Sequence, residues 1–158
     1  MKKITFSLIL FCFIFINMEL AAAQTKQRPL LNHIAVYVND LKTSTDFYND
    51  IIGLEKMEEP FKDGRHTWFT LGVQGQLHLI SGAKKGMEQI KDRHLCFSVV
   101  SVEDFMNTLD KNHIKYTNWK GDSSSPTVRP DGVKQIYFQD PDGYWIEINN
   151  DRQDIKKD

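Results

Sequence analysis

Four side chains able to hold a metal ion or move a proton, His33, His78, His94 and Glu147, recur at related spacings along the chain. His33 and His94 stand 61 residues apart. His33 to His78 spans 45 positions and His94 to Glu147 spans 53. The difference of 8 is the length of a Ser- and Pro-containing segment, residues 123–130. With that segment set aside as an insertion, His78 and Glu147 occupy equivalent places in two copies of one pattern. A pseudo-two-fold relation between the copies points all four side chains into a shared concavity. Two neutral imidazoles and one carboxylate, with coordination positions left open, suit a divalent ion: Fe, Mn, Co, Ni or Zn. Such an ion keeps Glu147 ionised and polarises an oxygen of a small-molecule substrate. A single histidine on a strand is more often a hydrogen-bonded structural residue; four polar side chains at matching repeat positions are harder to explain that way.

The elements that must position them follow from period and punctuation. Around Glu147 the sequence QIYFQDPDGYWIEINN reads as two strands about a turn, with Asp140, Pro141, Asp142 and Gly143 supplying the turn chemistry. Alternation places Gln135, Tyr137 and Gln139 on one face and Ile136 and Phe138 on the other; beyond the turn, Trp145, Glu147 and Asn149 oppose Tyr144, Ile146 and Ile148. The first half opens with a strand over residues 30–39. A helix follows from Asp40 and Thr43, with Phe47, Tyr48, Ile51 and Ile52 as its apolar stripe and Gly53 as its stop. Strands are expected over 54–61, 67–73 and 76–81, separated by Asp63-Gly64 and Gln74-Gly75. After a polar connector the pattern restarts. A strand over 93–100 precedes a helix capped by Ser101 with Asp104 in the reciprocal position and Val102, Phe105, Met106 and Leu109 as its stripe. A strand over 114–119, a loop over 121–130 and the hairpin around Glu147 complete it. Each half therefore reads strand, helix, three strands.

The chain has 158 residues, 41% hydrophobic and 26% charged, the composition of one globular domain with a real core. Lys2 and Lys3, an apolar run over 4–16 and Ala21-Ala22-Ala23 read as a secretory signal peptide over 1–23, too short for a comfortable membrane span. The expected product is exported, periplasmic or secreted, without membrane attachment after cleavage. A polar leader over 24–29, a domain over 30–150 and a charged tail over 151–158 remain. Cleavage takes the 20 basic and 21 acidic residues to 18 and 20, a net charge of −2. That leaves no basic field for nucleic acid. Cys96 is then the sole cysteine, so no internal disulfide can form.

Four stretches carry a family resemblance: L-N-H-I-A-V-Y-V-N-D-L from Leu31, F-Y-N-D-I-I-G-L from Phe47, R-H-L-C-F-S-V from Arg93 and Y-F-Q-D-P-D-G-Y-W-I-E from Tyr137. Together they resemble the vicinal oxygen chelate superfamily, which includes glyoxalase I, extradiol dioxygenases, fosfomycin-resistance thiol transferases and bleomycin-resistance proteins. The resemblance implies an α+β fold: two βαβββ modules forming a cupped eight-stranded mixed sheet, helices on its outer face. It also implies a divalent metal held by His33, His94 and Glu147, and a homodimer. The activity it suggests first is a glyoxalase-type lyase acting on a substrate that chelates the metal through adjacent oxygens, with His78 or Glu147 shuttling the proton.

The departures shape the rivals. In glyoxalase I a carboxylate that completes the metal shell holds the place of His78, so His78 is a candidate fourth ligand. Histidine there is instead similar to an acid–base residue of extradiol dioxygenases, and Tyr137 is similar to a tyrosine of dioxygenases and thiol transferases. The further histidine of the dioxygenase pattern is replaced by Val128-Arg129-Pro130, and the thiol transferases' Thr two residues after the first His is Ala35. An Fe(II) extradiol-type dioxygenase, a thiol transferase and a metal-free small-molecule binding protein are the alternatives. Other polar residues have plainer readings. His66 is a solvated turn neighbour, His113 a helix-end cation and Cys96 a small filler. Trp68, Trp119 and Trp145 are core or rim. Arg129 and Lys134 either hold an anionic substrate or decorate a loop.

Overall fold

The computed structural model describes residues 28–86 and 88–152. The chain divides into two units, Met1–Leu31 and Asn32–Asp158, and every element below belongs to the second. The expected signal peptide and most of the expected leader and charged tail lie outside the described residues.

Strand β1 (His33–Val38) alternates as its sequence requires: Val36 and Val38 are buried, while His33, Ala35 and Tyr37 face outward. Asp40 ends the strand and caps the next helix, its carboxylate accepting the N–H of Thr43 at 2.8 Å. Helix α1 (Leu41–Asp46) runs directly into a π-helical turn over Phe47–Ile51. These two short pieces are too brief to persist alone, and burial of Tyr48 in the core holds them. Gly53 leaves the helix at φ 81°, a conformation that glycine adopts freely. Strands β2 (Lys56–Met57), β3 (His66–Leu71) and β4 (Gly75–Ser81) complete the first module. The second comprises β5 (His94–Ser98), α2 (Val102–Lys111), β6 (Thr127–Val128), β7 (Lys134–Gln139) and β8 (Trp145–Asn149). Ser101 caps α2 as expected, accepting the N–H of Asp104 at 3.1 Å.

The eight strands form two four-stranded mixed sheets of one topology, β1-β4-β3-β2 and β5-β8-β7-β6. In each, the opening strand runs parallel to the closing one and the remaining neighbours are antiparallel. The expected pair of βαβββ modules is therefore present, as two sheets.

Two expected strands differ. The strand over 54–61 shrinks to Lys56–Met57, because the Glu59 carboxylate takes the N–H groups of Phe61 and Lys62 at 2.8 Å each and turns the chain. The strand over 114–119 is reduced to a single bridge, Thr117 to Tyr137. There the Asn118 side chain accepts from the N–H of Gly121 at 2.8 Å and of Asp122 at 3.3 Å and bends the chain away. The fourth strand of the second sheet is β6, inside the segment read as an insertion.

The apolar faces of both sheets meet the helices in one core. Val36, Val38, Tyr48, Phe69, Leu77 and Leu79 from the first module join Val102, Leu109, Ile136, Phe138, Ile146 and Ile148 from the second. Each such fully buried side chain is worth about 1.5–3 kcal/mol. The Asp140–Gly143 turn ties the modules together: the Tyr48 hydroxyl donates to Asp140 at 2.8 Å, and the Ser44 hydroxyl and Asn39 N–H donate to Asp142 at 2.7 Å each. Burial pushes the Asp140 carboxyl up to about 6, against the hydrogen bonds from Tyr48, Tyr144 and Asp142, which favour its charge. With the apolar faces consumed in the core, the polar face of each sheet is left to carry chemistry.

Candidate metal centre

Register places the four candidate residues identically in the two modules. His78 pairs with Ala35 on one side and Trp68 on the other. Glu147 pairs with Cys96 and Tyr137 in the same way. His33 and His94 each stand two residues before the strand partner, so all four side chains share the polar faces, as the spacing predicts.

In the first module the Asn32 side-chain oxygen lies 2.8 Å from His33 Nδ1. An amide oxygen only accepts, so Nδ1 carries the proton and Nε2 keeps a free lone pair. His78 is held the opposite way, with Nε2 bonded to the Gln76 side-chain oxygen at 2.7 Å, which leaves Nδ1 bare. Three rings stack in register: Trp68 on His78 with centroids 3.9 Å apart and 2° between planes, and His78 on His33 at 4.3 Å and 9°. Burial, followed by the charges of His33 and His66, lowers the His78 pKa and keeps that ring neutral.

In the second module the Lys91 carbonyl takes the His94 Nδ1 proton at 2.8 Å, freeing Nε2, which lies 3.2 Å from Glu147 Oε2. Glu147 is buried, and donors surround its carboxylate. The Tyr137 hydroxyl reaches Oε2 at 2.6 Å and Gln135 Nε2 reaches it at 3.2 Å. Asn149 Nδ2 donates to Oε1 at 2.8 Å and the Cys96 thiol at 3.4 Å. Gln135 Nε2 also bonds the Tyr137 hydroxyl. Burial and the adjacent carboxylate push the Cys96 thiol up to about 12 and raise the Tyr137 hydroxyl further above its ordinary value. Cys96 is thus a neutral thiol donor to Glu147 at neutral pH rather than a nucleophile. Each module also buries one polar atom without a partner among the described residues, Trp68 Nε1 in the first and Gln135 Oε1 in the second.

The donor set fits a divalent ion. Both imidazoles expected as ligands have Nδ1–H locked by an oxygen acceptor and Nε2 presented, the arrangement by which outer acceptors prepare histidine ligands. His94 Nε2 and Glu147 Oε2 lie 3.2 Å apart, close enough that both could ligate one ion. The structure brings the four residues together as two pairs, His33 with His78 and His94 with Glu147. Among the described residues no three His, Cys, Asp or Glu side chains form one metal-sized cluster.

His66 is not solvated but half-buried against Asp63 at 2.9 Å. Arg129 pairs with Asp131 and Asp151, and Lys134 with Glu103. Trp145 stands on the Glu147 face, with its indole N–H on the Gln89 carbonyl at 3.2 Å. The supporting roles of Gln135 and Asn149 were open to sequence reading, since both lie at period two from Tyr137 or Glu147. So was that of Gln76, two residues before His78; those of Asn32 and Lys91 were not, because they depend on side-chain rotamers and loop path.

The model of the glyoxalase/bleomycin resistance protein/dioxygenase superfamily matches residues 30–148. A lactoylglutathione lyase of Pseudomonas aeruginosa is 28% identical, the match covering 77% of this chain and 82% of that protein. A metallothiol transferase FosB of Staphylococcus epidermidis is 30% identical, covering 75% and 80%. Among solved structures, a glyoxalase/dioxygenase from Nostoc punctiforme superposes with a TM-score of 0.63 at 23% identity, covering 80% of this chain and 97% of that one. At that identity the likeness is one of fold.

Proposed function

The chain belongs to the glyoxalase/bleomycin resistance protein/dioxygenase superfamily, and on that premise we propose that it is a divalent-metal-dependent, glyoxalase-type enzyme acting on a small substrate with two adjacent oxygens. The observation that carries this reading is the matched preparation of His33 and His94, each with Nδ1–H fixed and Nε2 free, together with a buried Glu147 held by four donors. His33, His94 and Glu147 hold the ion. When bound, the ion supplies Lewis acidity to the substrate's oxygens and so acidifies the neighbouring C–H. Asn149, Gln135 and Tyr137 fix the two Glu147 oxygens, so the carboxylate does not swing when substrate enters. His78, kept neutral in its stack with Nδ1 bare, accepts the released proton and returns it at the adjacent carbon.

A complete site needs His33 beside the His94–Glu147 pair, and a second copy of the chain supplies it. Supporting this, β1 and β5 are edge strands of their sheets, and His33, Ala35, Tyr37, Cys96 and Ser98 are exposed on them. The signal-peptide-like N-terminus supports an exported enzyme, one whose substrate is not a glutathione adduct.

Metal analysis of purified protein, followed by calorimetric titration of Zn(II), Mn(II) and Ni(II), tests the reading. Glu147→Gln is expected to abolish both binding and turnover; unchanged metal affinity in that variant refutes the ligand assignment. A 2-His-1-carboxylate set, with His78 and Tyr137 as candidate acid–base groups, also favours a second reading, extradiol-type oxygenation with Fe(II). Oxygen uptake with a catechol selects it, and full turnover without oxygen rejects it.

A further inference from the structure

The second half-site contains a cation that none of the chemistry above uses. Lys91 is half-buried, and its ammonium lies 4.6 Å from the centre of the Trp145 ring and 5.5 Å from that of Tyr137. Three oxygens meet its three N–H groups: Thr117 Oγ1 at 3.3 Å, the Asn118 carbonyl at 3.2 Å and the Trp119 carbonyl at 3.1 Å. A solvated surface lysine does not occupy its donors in this way. Two aromatic faces and three oxygens constitute an ammonium site, filled here by the chain's own side chain. Burial lowers its pKa, as a desolvated ammonium requires.

The site's position gives it consequence. The main-chain carbonyl of Lys91 orients His94, while its side chain grips the 117–119 segment. That segment places Trp119, 42% exposed, edge-on against Tyr137 with centroids 5.3 Å apart. Tyr137 in turn packs edge-on against His94 at 5.7 Å and bonds Glu147. The exposed ring of Trp119, backed by the buried Tyr137, therefore borders whatever is held at His94 and Glu147.

We infer that Lys91 is a positioning residue: its ammonium holds Trp119 against Tyr137 and thereby forms an aromatic subsite, so that the substrate carries a planar or aromatic group beside its two chelating oxygens. The ligand part of this inference rests on the metal-dependent reading above; the holding of the loop does not.

The test uses the whole chain loaded with Zn(II), and two hydroxamates that chelate through the same pair of oxygens. Wild type is expected to bind benzohydroxamate about tenfold more tightly than acetohydroxamate, the scale of one aromatic contact. Lys91→Ala keeps the carbonyl that orients His94, and the preference for the phenyl ring disappears. Backbone hydrogen exchange over residues 117–121 rises about tenfold in the variant. Free n-propylammonium replaces the deleted atoms and restores both the preference and the slow exchange; tetramethylammonium, which has no N–H, restores neither. Lys91→Met, which retains the apolar stem, serves if the alanine variant does not fold. Exchange and preference both unmoved overturn the inference, as does faster exchange with the preference intact. If wild type binds no metal, the proposed function fails instead, and propylammonium-reversible exchange still supports the role of Lys91 while unchanged exchange overturns it.

Discussion

The imidazoles of His33 and His78 lie face to face, 4.3 Å between centroids and 9° from parallel. A metal bond to imidazole lies in the plane of the ring, along the nitrogen lone pair. Two rings stacked in separate parallel planes cannot both direct a lone pair at one ion. As placed, His78 is thus not a fourth ligand beside His33. It rests on the His33 ring, neutral and backed by Trp68.

His78→Gln is accordingly expected to leave metal stoichiometry and affinity nearly unchanged while turnover falls by about 100-fold or more, the usual contribution of a positioned acid or base. Parallel calorimetry and rate measurements separate the two effects. An equal loss of metal would return His78 to the coordination shell.

Asn149 bonds Glu147 Oε1 at 2.8 Å and also the Cys96 sulfur at 3.1 Å. Asn149→Ala releases one oxygen of the ligand without touching the ion. Metal affinity should weaken by about 10- to 100-fold, the range for outer-shell partners of metal ligands. A variant that binds as tightly as wild type shows that Tyr137 and Gln135 suffice to orient the carboxylate.

If each site takes His33 from one copy and the His94–Glu147 pair from another, two inactive variants complement each other. His33→Ala and Glu147→Gln, unfolded together and refolded as an equal mixture, should regain about a quarter of wild-type metal sites, since half of the random dimers hold one intact site. Sites made within one chain regain none.

Asp140 gives the fold a pH dependence of known sign. Its carboxyl rises from an ordinary 3.8 to about 6 on folding, so the native state favours the protonated form. The associated stabilisation is complete below about 4 and is lost as pH rises through 6; the shift corresponds to roughly 3 kcal/mol. Asp140→Asn, which keeps an oxygen for the Asp142 and Tyr144 N–H groups, should flatten the melting-temperature profile between pH 4 and 7. A wild-type profile without that slope would place the Asp140 titration elsewhere.

Much of this was written in the chain. Alternation alone put His33, His94, Tyr137 and Glu147 on polar strand faces, because one face of each sheet had to be apolar to meet a helix. The equivalence of His78 and Glu147 followed from spacing, and the shared register of the two modules agrees with it. The spacing has a different cause from an inserted loop: the eight extra residues include strand β6 of the second sheet. Local pattern could not distinguish these: Thr127 and Val128 pair with Gln135 and Lys134, while the Asn118 side chain bends the segment before them.

What the sequence determined by itself was which side chains share a face, since strand period and helix spacing are properties of the local backbone. What only the tertiary structure decided was orientation and company: which nitrogen of each imidazole is free, that His78 stacks instead of converging, and that Lys91 closes over Tyr137 and Trp145. Those depend on rotamers and on contacts between segments distant along the chain, where a fraction of an ångström separates a ligand from a neighbour and no periodicity records the difference.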